Sequence, residues 1–107
     1  MGERTCVFKR LLFGRVKNDE GYVVKFRIGA RYIEYREKDH ACKIMAEPLA
    51  GVPSVAIPGL EMFSTMNLWW ETPFAHEPIS NEKRKQILHR VIDALNFSQI
   101  KYELLHK

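Results

Sequence analysis

The sequence has no long apolar run and only two cysteines. No stretch of its 107 residues reaches the roughly 18 consecutive apolar residues that span a bilayer. The N-terminal residues MGERTCVFKR lack the apolar core of a secretory signal. Cys6 and Cys42 lie far apart, and we expect two buried free thiols rather than a disulfide. These absences predict a soluble, cytoplasmic protein with no membrane partner.

Motifs for catalysis, metal binding and cofactor binding are also missing. The sequence has no phosphate-binding loop, no dinucleotide fingerprint and no nucleophile elbow. His40 and Cys42 form one close pair without the second pair that a zinc site needs. A ribonuclease-like site at His40 would need a base beside cations, a combination that arises by chance in any basic domain. We therefore expect a protein that is not an enzyme and that has no cofactor and no metal.

The positive charge is concentrated in the N-terminal half. Residues 1–47 hold eleven Lys and Arg against seven Asp and Glu, whereas residues 48–107 hold six against six. One interpretation is a nucleic-acid surface, and the other is a solvated sheet face on which cations alternate with apolar residues. No RNA-recognition aromatic motif, zinc finger or glycine-rich clamp accompanies the charge. We favour the solvated face.

Alternating apolar and polar residues predict two β-hairpins in this half. Turn residues at 18–21 and 37–40 separate segments rich in β-branched and aromatic residues, and Gly29 allows a tight bend between two of them. The run Leu11 to Phe13 interrupts the alternation of the first segment. The predicted strands are residues 5–16, 22–28, 31–37 and 41–47.

Prolines make the middle of the chain less regular. Pro48, Pro53 and Pro58 limit this apolar segment to a loop or to a short edge strand such as Ser54 to Ile57, because proline cannot donate to a β-ladder. We expect the segment to pack over the core, with a recognition loop as the alternative.

Alternation resumes over residues 60–70 and predicts another strand. Successive side chains of a strand point to opposite faces. Trp70 is then expected in the core with Leu68, and Trp69 beside Phe63 on the other face. There Trp69 would be covered either by the apolar loop or by a protein partner.

The C-terminal part predicts one amphipathic helix and a final strand. Ser80 is a favourable N-cap, and five apolar residues recur at helical spacing. Asn96 is expected to end the helix in a left-handed conformation. Ile100, Tyr102 and Leu104 share one face of a last strand that could rejoin the sheet. The apolar stripe of the helix is Ile87, Leu88, Val91, Ile92 and Leu95.

Together these elements predict a single α+β domain over residues 1–107. An antiparallel β-meander of four to five strands comes first, one amphipathic helix packs on one face, and a C-terminal strand follows. One helix covers only one face of a sheet, so we expect the other face to stay partly exposed. Nothing in the sequence sets the oligomeric state.

Three consecutive segments in residues 60–105 carry a family resemblance: a strand end LWWETP, a helix ISNEKRKQILHRVIDAL and a strand FSQIKYEL. This order resembles small bacterial immunity proteins, which accompany the toxins of contact-dependent growth inhibition and other polymorphic toxin systems. Trp70 and Pro73 would fill a W-x-x-P pattern. The start of the helix would match at Ile79, Ser80, Glu82, Arg84 or Lys85, and Ile87.

The resemblance implies a protein that binds and neutralises a cognate toxin by occluding its active site or an exosite, without catalysis. Inhibitors of nuclease toxins are often acidic, whereas this chain is basic, which argues against a nuclease target or confines the contact to a local acidic patch. The alternative is a small basic nucleic-acid-binding module that uses the N-terminal sheet face.

Two groups of residues are candidate binding sites. The proline-stiffened segment WWETPFAHE offers aromatic anchors with a polar rim, as protein interfaces require. The solvent face of the second hairpin ranks lower, because charged sheet faces are usually only solvated. The predicted toxin-binding residues are Trp69, Glu71, Phe74, His76 and Glu77. The secondary binding face is Lys25, Arg27, Tyr32, Glu34 and Arg36.

Overall fold

The first half of the chain forms a five-stranded antiparallel sheet whose strands lie in sequence order. The structure is a computed structural model that describes residues 8–11, 14–48, 54–59, 62–63 and 68–105. Both predicted hairpins are present, and the fold is α+β as predicted. The strands are β1 (Phe8–Arg10), β2 (Arg15–Asn18), β3 (Tyr22–Arg27), β4 (Tyr32–Glu37) and β5 (His40–Met45).

The single strand predicted over residues 5–16 is wrong within the described part. Two short strands occupy this region, and β1 pairs antiparallel with β2 in a register that places Lys9 opposite Lys17. The chain reverses where Gly14 adopts a φ of +72°, and the N–H of Leu11 donates to the carbonyl of Arg15 at 2.8 Å. Glycine reaches this left-handed conformation without steric cost. Residues 5–7 and 12–13 lie outside the described residues.

The next turn follows its sequence signature. Asn18 accepts the backbone N–H of Glu20 on its side-chain oxygen at 2.7 Å, and Gly21 adopts a φ of +102°. An asparagine that bonds the backbone two residues ahead mimics a backbone turn. The tight turn between β2 and β3 fixes which residues of the two strands lie opposite each other.

A second, three-stranded sheet contains the C-terminal strand. It consists of β6 (Glu47–Pro48), β7 (Ser54–Pro58) and β8 (Lys101–Leu105), in the order β6-β7-β8. The last strand therefore does not rejoin the first sheet but pairs parallel with β7. The predicted edge strand is central in this sheet, and Val55 and Ile57 are fully buried. That burial confirms that the described part of the apolar segment packs into the core.

No strand is found among the described residues of the segment 60–70. Met62 and Phe63 are helical, and residues 68–70 have no regular secondary structure. Phe63 is fully buried, so it does not share a solvent face with Trp69. Its carbonyl accepts a hydrogen bond from Nη1 of Arg84 at 2.8 Å.

The helix α1 (Asn81–Phe97) begins at the predicted cap and connects β7 to β8. Ser80 accepts the N–H of Lys83 on its side-chain oxygen at 3.1 Å, which satisfies one of the free donors at the helix start. The predicted end is wrong: the helix continues through Asn96, and Gln99 takes the left-handed φ of +60°. The buried side chains of the helix are Ile87, Leu88, Val91, Ala94 and Leu95.

One face of the five-stranded sheet packs against α1 around a core that includes Cys42. The Cys42 thiol is free and buried, and burial raises its pKa to about 12, so it stays protonated. Cys6 lies outside the described residues. None of the helices in the described part of the chain is long and apolar enough to cross a membrane.

Candidate binding surface

Residues 68–77, which we call the strap, run along the edge of the sheet beside β5. The N–H of Glu71 donates to the carbonyl of Ala41 at 2.8 Å, and two successive turns follow, from Glu71 to Phe74 and from Phe74 to Glu77, each closed by a hydrogen bond of 2.9 Å. These backbone bonds fix the path of the strap between the core and the helix start.

The two tryptophans of the strap lie in opposite environments. Trp70 is 4% exposed and packs in the core, whereas Trp69 is 58% exposed. Trp69, Leu68, Glu71 and Lys43 line a shallow surface depression of about 260 Å³. The sequence thus predicted the burial of Trp70 and the position of Trp69 away from the core, although the described residues 62–63 and 68–70 are not in a strand.

His40 anchors the other half of the strap. Its ring stacks on Phe74 with 3.8 Å between centroids and meets the edge of Trp70 at 5.1 Å. Nε2 lies 2.8 Å from Oε1 of Glu77, and Nδ1 lies 3.0 Å from Oδ1 of Asp39. The hydrogen bond with Glu77, followed by that with Asp39, raises the pKa of His40 above its usual 6.5. The histidine engages carboxylates with both ring nitrogens and acts as a structural anchor.

The predicted toxin-binding residues therefore divide between two sides of the sheet edge. Trp69 and Glu71 lie beside Lys43, whereas Phe74 and Glu77 contact His40. His40 and Lys43 are three positions apart on β5, so their side chains point to opposite faces. His76 is exposed and does not pair with Glu77. Only the Trp69 end of the strap adjoins the sheet face that points away from α1.

That sheet face, which we call the outer face, is built of cross-strand rows. The register aligns Arg15, Lys25, Glu34 and Lys43 across β2 to β5 in one row. A second row aligns Lys9, Lys17, Val23, Arg36 and Ala41 across β1 to β5. A third aligns Arg27, Tyr32 and Met45. All five predicted secondary-face residues belong to these rows.

The two predicted surfaces meet at Lys43. Its Nζ lies 4.9 Å from the centroid of the Tyr32 ring and 3.6 Å from Oε2 of Glu71. Lys43 therefore links the outer face to the Trp69 end of the strap, and the two form one continuous surface. The sequence predicts two separate surfaces, because the contact joins Lys43 of β5 to Glu71, 28 residues later in the chain.

A polar cluster that the sequence did not predict lies on the opposite face of the sheet. Glu37 accepts hydrogen bonds from Tyr35 at 2.6 Å and from Nζ of Lys83 at 3.0 and 3.1 Å, and Arg90 donates to Tyr35 at 2.7 Å. Burial alone would raise the pKa of Glu37, but the bonds from Tyr35 and Lys83 outweigh it and lower the pKa. The cluster ties α1 to β4.

Within the described residues, no group of three or more His, Cys, Asp or Glu side chains is arranged to hold a metal ion. The chain matches no protein-family model, no curated protein and no solved structure. The resemblance to immunity proteins therefore stays a prediction from the residues themselves.

Proposed function

We propose that this chain is a non-catalytic immunity protein that binds a bacterial protein toxin and occludes its active site or an exosite. The observation that carries the proposal is Trp69, a large aromatic side chain that is 58% exposed. A few aromatic and arginine side chains usually supply most of the binding energy of a protein interface. Exposure of one such side chain beside a polar rim is what an unoccupied interface requires.

The strap supports this proposal because it holds Trp69 in place before any partner binds. Trp70 on one side is buried, and Glu71 on the other is bonded to β5. A preordered segment loses little conformational entropy when it binds, so more of the contact energy appears as affinity. A helix followed by a final strand is also the order that the resemblance to immunity proteins implies, whereas residues 68–71 are not the strand end that it implies.

Growth protection tests the proposal, with the candidate toxin taken from the gene beside this chain's own. Cells that produce this toxin should survive with the wild-type chain and with Leu104→Ala, which also removes a large exposed side chain, 37% exposed on β8. Trp69→Ala should abolish protection and weaken binding of the purified toxin domain by about 2 kcal/mol or more, roughly 30-fold. Equal protection by Trp69→Ala, or no binding by the wild-type chain, would refute the proposal.

Nucleic-acid binding is the second candidate, and the charge of the outer face favours it. Cations from five strands line this face, and Tyr32 and Trp69 could stack on bases. Such binding weakens steeply with salt, because phosphate contacts release counterions. Retention of a single-stranded RNA by the purified chain at low salt, lost at high salt, together with no binding of the toxin domain, would select this function.

A further inference from the structure

The outer face contains cross-strand pairs of like charge. Lys9 lies directly opposite Lys17, and Arg15 lies directly opposite Lys25. Like charges in these positions destabilise a sheet. Among the described residues, no carboxylate lies within 4.0 Å of the side-chain nitrogens of Lys9, Lys17 or Arg27. A face that keeps unfavourable pairs is typical of a site that is selected for function rather than for stability.

The charge of the chain is also strongly segregated. The outer face carries seven of the 17 Lys and Arg residues and one of the 13 Asp and Glu residues, a net charge of +6. The remaining ten cations and twelve carboxylates give the rest of the chain a net charge of −2. A surface of one sign attracts a partner of opposite sign and raises the rate of encounter.

We propose that the outer face is the docking surface and that it binds an acidic surface of the partner protein. This inference rests on the proposed function and adds the chemistry of the partner. Trp69, Tyr32 and Met45 serve as apolar anchors at the β5 end, where Met45 is 37% exposed. The cations of β1 to β3 extend from there and meet carboxylates of the partner.

Two carboxylates favour a protein over a nucleic acid as the occupant. Glu71 lines the same depression as Trp69, and Glu34 lies on the same face of β4 as Tyr32, two positions away. Glu71 pairs with Lys43 at 3.6 Å and Glu34 pairs with Arg36 at 3.2 Å, so a phosphate backbone that brought bases to either ring would have to compete with a carboxylate for its cation. A protein partner, in contrast, can place a lysine or arginine beside each of them.

The test compares two variants that change the net charge equally. The outer-face variant is Lys17→Glu with Arg27→Glu, and the control is Lys85→Glu with Lys101→Glu, both exposed and off the outer face. Lys17→Glu places a carboxylate opposite Lys9, so the outer-face variant should not unfold more easily than the control. The probes are the purified toxin domain, poly-glutamate and a single-stranded RNA, each titrated at several salt concentrations.

We expect the outer-face variant to bind the toxin domain about 10-fold or more slowly at low salt, whereas the control keeps the wild-type rate. Equal binding by all three proteins would overturn the docking surface and leave the proposed function standing. If the toxin domain binds none of the three proteins, the proposed function fails, and the titration with poly-glutamate then tests the outer face. Binding of poly-glutamate by the wild-type chain and the control, but not by the outer-face variant, would support an acidic partner. If the wild-type chain prefers the RNA to poly-glutamate, or binds neither polymer, the proposal of an acidic partner is overturned.

Discussion

Trp69 and Trp70 are neighbours in the chain, but Trp70 is buried in the core and Trp69 is exposed to solvent. The two side chains lie in opposite environments although residues 68–70 have no regular secondary structure. Burial of Trp70 and the bond from Glu71 to Ala41 fix the orientation. Trp69 is consequently presented to solvent from a rigid support.

Truncating the two tryptophans should have very different effects on stability. Trp70→Ala leaves a large cavity in the core, and we expect the free energy of unfolding to fall by about 3–5 kcal/mol. Trp69→Ala removes a mostly exposed side chain, so the change should stay within about 0.5 kcal/mol. Urea unfolding of both variants measures the difference. A large loss in Trp69→Ala would mean that this side chain supports the fold.

His40 makes the anchoring of the strap depend on pH. Its pKa is raised in the folded chain by Glu77 and then Asp39, so the folded state binds the proton more tightly than the unfolded state. The stabilisation is therefore fully present below pH 6.5 and is lost as the pH rises through the raised pKa. We expect the melting temperature of the wild-type chain to fall as the pH rises above 6.5.

His40→Gln should remove this part of the pH dependence. His89→Gln, a change at an exposed histidine on α1, is the matched control and should keep the wild-type profile. Thermal unfolding between about pH 5.5 and 9 compares the three proteins. A profile for His40→Gln that runs parallel to the wild-type profile would show that Glu77 does not hold the strap through His40.

At the scale of elements, the contact between α1 and the sheet depends on Glu37 as well as on apolar packing. Glu37→Gln leaves Lys83 without its carboxylate and leaves Arg90 with Glu20 alone, at 3.8 Å, and we expect the free energy of unfolding to fall by about 1–2 kcal/mol. The loss is smaller than for a fully buried pair because solvent partly screens these groups. The control is Glu34→Gln on the outer face of the same strand, which should change stability less.

The pH dependence of Glu37 has the opposite sign to that of His40. Its pKa is lowered in the folded chain, so its stabilisation is present above the ordinary value of 4.5 and is lost as the pH falls through the lowered pKa. Glu37→Gln should therefore reduce the acid sensitivity of unfolding below pH 4.5. If the stability of Glu37→Gln falls below pH 4.5 as steeply as that of the wild-type chain, Glu37 does not contribute to the acid sensitivity of the fold.

Elements whose signals are local were predictable from the sequence, and those that depend on distant partners were not. The start of α1 follows from Ser80 and the apolar stripe, and the two hairpins follow from alternation and turn residues. The parallel pairing of β7 with β8 was missed because the partners are separated by α1, and no local pattern specifies a parallel neighbour. The anchor at His40 was missed for the same reason, since its contacts with Trp70, Phe74 and Glu77 are 30 or more residues away.

At the scale of the whole molecule, the fold separates the surfaces by charge. The inner face of the five-stranded sheet is covered by α1, and the outer face carries a net charge of +6, whereas the rest of the chain carries −2. The sequence indicated a basic N-terminal half and a predicted face with Lys25, Arg27 and Arg36, and the strand register adds the cations of β1, β2 and β5 to that face. That face and the exposed Trp69 adjoin at Lys43, which makes one docking surface of two predicted ones.

The most direct test of this surface is the chemical-shift change of the labelled chain on addition of the toxin domain. The two indole N–H signals give an internal comparison. We predict that the Trp69 signal and the amides of β2 to β5 shift, whereas the buried Trp70 signal and the amides of β8 do not. Shifts confined to α1 and β8, with an unmoved Trp69 signal, would contradict the docking surface.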